Sequence, residues 1–211
     1  EQVLHRHAAV VEDDLARQPT QANRASLAYE RAIWIVETGS TDPAAWADVD
    51  ETGIKATYPF AAYDFARGVT AARTGDIGAA EALLQRLRTR TAAARRHAVG
   101  VVASRYDTVT PEELAQGEIL ATALEGAIRF AQGKQEAGLQ LVRDAVTRSA
   151  TMAFEYGPPN SAKPLDELLG DLLLAAGKPA EAAGAYEKTL VMYPNRRLAV
   201  AGLATATSAI Q

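Results

Sequence analysis

One spacing recurs three times in this chain: a glycine, a second glycine seven residues on, a small residue five beyond that, and a larger apolar residue four further still. The sets are Gly68, Gly75, Ala80 and Leu84; Gly126, Gly133, Gly138 and Val142; and Gly170, Gly177, Ala182 and Tyr186. The frame describes a helix, a tight turn and an antiparallel helix. The middle glycine supplies the left-handed backbone that stops the first helix. The first glycine and the later small residue are expected to meet where the helices cross, because a larger side chain there would push the axes apart. The apolar residue one turn on then fills the groove between them. One such hairpin cannot bury its own apolar face, so units of it stack.

Around this frame helical periodicity runs almost throughout, and no stretch alternates as a strand would. Helices are predicted over residues 1–17, 21–38, 59–74, 76–105, 110–132, 135–154, 164–176, 179–193 and 196–210. Gly39 stops the second of these, and Asp42-Pro43 starts a short helix with Asp42 as its cap. A looser stretch covers 50–58. Thr110-Pro111-Glu112-Glu113 combines a cap, a first-turn proline and acids at the positive helix end. Tyr156-Gly157-Pro158-Pro159-Asn160 reads as a stiff loop that resets the chain direction, with an aromatic contact point as the alternative.

Composition narrows the function classes. Hydrophobic residues make up 48% of the 211 and aromatics only 6%, which suits helices packed through Ala and Leu better than an aromatic-layered sandwich. A net charge of −4 argues against general nucleic-acid binding. The absence of cysteine excludes disulfides, thiolate catalysis and cysteine-based zinc sites. No apolar run approaches the roughly 20 residues needed to span a bilayer. The chain opens on Glu1 inside a helix-like stretch (Val3, Leu4, Val10, Val11, Leu15), so removal of a signal peptide or of a larger upstream portion is expected.

The last unit runs Lys163-Pro-Leu-Asp-Glu-Leu-Leu169-Gly170, then Gly177, Ala182, Tyr186 and Pro194-Asn195. It resembles the tetratricopeptide repeat, sharing that family's Leu-Gly pair, Ala-x-x-x-aromatic step and closing proline. It departs at Asp166, where the family favours Trp, and at Leu173, where it favours Tyr. The two earlier units lack the Leu-Gly pair and the closing proline. Their frames are also spaced more widely than the ~34 residues of the standard unit. From about Phe60 onward, Tyr63-Asp-Phe-Ala-Arg-Gly68, Glu167-Leu-Leu-Gly-Asp171 and Tyr193-Pro-Asn-Arg196 look like the C-terminal half of longer bacterial repeat proteins, often predicted to be exported. The resemblance implies an all-α, right-handed superhelix of antiparallel hairpins and carries over no catalytic residue. It further implies N-terminal helices over 1–58 packed on an array over 59–211 with a C-terminal capping helix. A periplasmic or exported location is expected ahead of the cytoplasm.

By the same repeat geometry, the first helix of each unit lines an inner groove. Its expected residues are Phe65, Val69 and Arg73, then Ala123, Ala127 and Phe130, then Glu167, Asp171 and Leu174. Such a partly apolar groove suits a partner's amphipathic helix, a hydrophobic small molecule, or the chain's own Tyr29, Trp34 and Trp46. Glu167 and Asp171 share a helix face and could do acid–base work or hold calcium, whereas Asp166 and Glu167 also simply suit the helix dipole. Arg86, Arg88, Arg90, Arg95 and Arg96 crowd one helix, either as a dock for an acidic peptide or phosphate or, more plainly, as a solvated face. His5 and His7, two apart, project from opposite sides of a helix, and His97 stands alone, so ordinary packing or surface roles are expected. No nucleophile elbow, phosphate loop or dinucleotide pattern occurs. The expectation is a non-enzymatic scaffold that binds a protein or peptide, needs no cofactor or metal and leaves self-association open. The alternatives are part of an enzyme or small-molecule or metal receptor built on Glu167 and Asp171, and a purely structural half of a larger protein.

Overall fold

The computed structural model describes residues 10, 12–13, 16–18, 20–54, 58–96, 109–152 and 161–211. Among them the chain is all-α and no strand occurs. The helices are α1 (Gln21–Thr38), α2 (Pro43–Trp46), α3 (Tyr58–Thr74), α4 (Ile77–Arg95), α5 (Pro111–Ala131), α6 (Gln135–Ala150), α7 (Leu165–Ala175), α8 (Pro179–Met192) and α9 (Arg197–Ile210). The three histidines, the loop at 156–160, the rest of the helix expected to 105 and most of that over 1–17 lie outside the described residues.

Local chemistry sets the helix ends. Thr20 opens α1 by accepting from the Asn23 N–H at 3.1 Å, and Gly39, at φ +66°, closes it. Asp42 caps α2 through the Ala44 N–H at 3.0 Å. At the start of α5 the Glu113 N–H donates to Thr110 Oγ1 at 3.1 Å, while the Thr110 N–H donates to Glu113 Oε2 at 3.2 Å. This reciprocal capping box adds a second role for Glu113 beyond its favourable place on the dipole.

The three glycine turns close alike. The N–H groups of Asp76, Lys134 and Lys178 reach back to the carbonyls of Ala71, Arg129 and Leu173 at 2.9, 3.0 and 2.9 Å. Gly75, Gly133 and Gly177 each hold positive φ, at +86°, +82° and +71°. One bonding pattern thus ends α3, α5 and α7, and it makes the three hairpins copies of one unit.

The chain divides into two compact units, residues 1–121 and 122–211, with the division inside α5. In the first, α1 and α4 both pack on α3, and α2 packs on α1. Leu27, Ala28 and Ile35 of α1 share that core with Phe60, Tyr63 and Phe65 of α3 and Leu84 and Leu87 of α4. In the second unit α7 packs on α6, α8 on α7 and α9 on α8, with α9 also reaching α7.

The small-residue frame works in two ways. In the second hairpin the backbones touch: a Cβ on Gly126 would lie 2.8 Å from the Gly138 carbonyl oxygen, and one on Gly138 would lie 2.6 Å from that of Gly126. The third hairpin departs from the expected pairing of Gly170 with Ala182. There the space above Gly170 is taken by the Tyr186 ring, 2.8 Å from where a Cβ would sit, and Gly202 of α9 abuts the same ring. Leu84, Val142 and Tyr186 are all buried, as groove-filling residues should be.

Candidate functional site

The residues expected to line a groove fall into both units. In the first, Phe65 is only 1% exposed and belongs to the core, Val69 is half-buried, and Arg73 is exposed. The Arg73 guanidinium lies against Gly39 at the end of α1, 2.7 Å from where a Cβ would be. Since α1 packs on α3, the chain itself covers much of this helix. Tyr29 contributes, its ring 6.2 Å from that of Tyr58, while the Trp46 indole donates to the Ser40 carbonyl at 2.8 Å. In the second unit Ala123 and Ala127 are buried, Phe130 and Leu174 are half-buried, and Asp171 is exposed.

Sequence reasoning missed the densest polar site, a six-membered ion cluster in the first unit. Asp64, at 0% exposure, accepts from Arg67 and Arg90, each at 3.0 Å. Asp48 accepts from Arg86 Nη1 at 2.5 Å and Arg67 Nη1 at 3.1 Å. Glu51 accepts from Arg86 Nη2 at 2.8 Å and is gripped through both oxygens by Arg90. Arg67 lies over the Tyr63 ring and Arg90 over that of Phe60, so apolar faces shield the guanidinium groups. Burial works against charge on Asp48 and Glu51. Hydrogen bonds and charge from Arg86 and Arg67 on Asp48, and from Arg90 and Arg86 on Glu51, outweigh it and hold both carboxyls below their usual range. Tyr63 completes the anchorage, donating to the Ala45 and Ala47 carbonyls at 2.5 and 2.8 Å while burial pushes its phenol up.

The expectation of a merely solvated arginine face is therefore corrected for Arg86 and Arg90. Their acidic partner is the chain's own 48–51 stretch, 35 to 39 residues away in sequence. Arg95 does sit on the surface, paired with Glu118, and Arg88 and Arg96 are exposed. One signal was legible: Asp64 and Arg67 interrupt an otherwise apolar helix at a spacing that lets them pair.

A second network occupies the start of α7. Glu167, at 0% exposure, accepts from Lys163 Nζ at 2.7 Å and from both Nε and Nη2 of Arg196. Asp171 accepts from Lys163 Nζ at 2.5 Å and from the Tyr186 hydroxyl at 2.8 Å. Burial, reinforced by the Asp171 and Glu167 charges, pushes the Tyr186 phenol up and keeps it a donor. The two acids expected at the end of a groove are thus neutralised from within by two cations, with a phenol donating to Asp171. Among the described residues no three His, Asp or Glu side chains gather as a metal's ligand set.

A shallow pocket of about 160 Å³ lies between α4 and α5, lined by Arg88, Thr91, Ala92, Arg95, Glu118 and Ala121. Among the described residues no helix is long and apolar enough to cross a membrane. Comparison with known proteins found no matching family model, curated protein or solved structure. The class defined by the fold is an all-α, repeat-like assembly of helix hairpins.

Proposed function

We propose that this protein is a tetratricopeptide-like repeat module that holds a segment of a partner protein and performs no catalysis of its own. The observation that carries the reading is the threefold recurrence of one hairpin closure on one small-residue frame. Rigid repeats of this kind present side chains from successive first helices at regular intervals, which suits a peptide. In the second unit Phe130 and Leu174 remain half-buried, with room for further contact, and Asp171 is exposed beside them in the sequence frame. A partner helix with an apolar stripe fits that set. The likeness to exported bacterial repeat proteins supports an extracytoplasmic setting.

The test is selection of peptides on the intact chain from a display library, followed by the double substitution Phe130→Ser and Leu174→Ser. Selected peptides should lose at least about tenfold in affinity, the scale of one well-buried apolar anchor. Peptides that bind the double variant as well as the parent chain would remove this surface from consideration.

A further inference from the structure

The arginine cleft of the first unit carries more positive charge than its own hairpin can neutralise. Arg67, Arg86 and Arg90 project from α3 and α4, and Asp64 is the hairpin carboxylate that meets them. The balance comes from Asp48 and Glu51, on an irregular stretch that follows α2. We propose that this cleft is a binding site for an acidic peptide segment of another protein, and that residues 48–54 fill it as a displaceable strap.

Three observations favour exchange over a permanent seal. The strap carboxylates stand at the water boundary, Asp48 at 68% and Glu51 at 32% side-chain exposure, where a competing carboxylate has access to their partners. The fit is also incomplete. The buried side-chain polar atoms left without a hydrogen-bond partner among the described residues are the Nε atoms of Arg24, Arg67 and Arg90. All three arginines bind the strap or its root: Arg24 holds Asp50 and the Thr52 carbonyl, and Arg67 holds the Trp46 carbonyl and Asp48. Buried donors without acceptors are costly, and an incoming chain with more carboxylate oxygens could answer them. Finally, Tyr63 and Arg31 hold the Ala47 carbonyl at the root. The anchors further along, from Arg24 to the Thr52 carbonyl and from Gln21 to the Gly53 carbonyl, are hydrogen bonds at the surface, so the strap can part from the cleft without unseating α2.

The strap also states what its replacement must look like. Between its acids it inserts one apolar side chain, Val49, which is buried. Of the strap's three acids, Asp48 and Glu51 meet the cleft arginines, so the partner segment is acidic at two positions three apart, with an aliphatic residue immediately after the first acid. This site shares no residue with Phe130 and Leu174, so its failure and that of the groove reading are told apart.

The probe is a fluorescein-labelled peptide with the sequence of residues 46–54, titrated by anisotropy into the full chain. Asp48→Asn with Glu51→Gln should raise its apparent affinity at least about tenfold, because a cleft occupied nine-tenths of the time by its own strap weakens any competitor by that factor. Adding Arg86→Gln and Arg90→Gln should abolish the gain, and a probe with Asn and Gln in place of its acids should not bind. No gain in the strap variant, or equal binding of the neutral probe, would overturn the proposal. Native-state hydrogen exchange on the unaltered chain decides independently of how the variants fold. Amides of 48–54 should exchange well before those of α3 and α4, and exchange only with global unfolding would show the strap to be fixed.

Discussion

A carboxylate shut away from water is tolerated only where cations and hydrogen bonds replace its hydration, and Glu167 shows how fully that can be done. Lys163 reaches it from just before α7 and Arg196 from just before α9, and Asp171 shares Lys163 with it. Glu167→Gln preserves shape but leaves the buried Lys163 and the half-buried Arg196 facing one carboxylate. Breaking such a pair costs about 3–5 kcal/mol, so a clear drop in the urea midpoint is expected. An unchanged midpoint would mean that solvent reaches this site. Asp166, Glu167 and Asp171 were visible in the sequence as acids at the start and middle of one helix, but not their partner Arg196, which arrives from the far side of α8. The helix dipole explained the acids well enough to hide their true partners.

At the level of helices and turns, the glycines separate by what surrounds them. Gly138 has no room for a methyl group, since a Cβ would sit 2.6 Å from the Gly126 carbonyl oxygen and 2.7 Å from the Phe130 nitrogen. Backbone cannot yield as a side chain can, so Gly138→Ala should cost about 1–3 kcal/mol. Gly184 lies within α8 with open space where its Cβ would be, so Gly184→Ala should stabilise by roughly 0.5–1 kcal/mol through helix propensity alone. Thermal melts of the two variants should move in opposite directions, and a shared direction would break the packing account of the frame. The hairpin turns were readable in advance because a left-handed glycine and its back-reaching hydrogen bond involve residues only five apart. The division within α5 was not, since one continuous helical pattern runs across it.

On the scale of the whole chain, the arginine clasp ties stability to pH. Asp48 and Glu51 are held below their usual values when folded, so the unfolded chain takes up protons more readily. Their contribution is complete above the ordinary carboxylate range of about 4 and drains away as pH falls through the lower folded values. Tyr63 and Tyr186 act at the other end: their phenols are raised, so the stability of the neutral donors is lost as pH climbs above about 10. Both tryptophans, Trp34 and Trp46, lie in the first unit, with Trp46 at the root of the strap. Their fluorescence should change below about pH 4. Asp48→Asn with Glu51→Gln should flatten that acid response while lowering stability at neutral pH. A flat profile from pH 7 to 3 in the unaltered chain would contradict the clasp. Helices, caps and glycine turns depend on neighbours within a turn or two along the chain, so spacing and residue type alone set them. The meeting of Asp48 and Glu51 with Arg86 and Arg90, and of the Tyr186 ring with Gly170 and Gly202, joins residues brought together only by folding. No local pattern encodes which of many acids and arginines will share a dry, crowded space; that depends on how the helices pack.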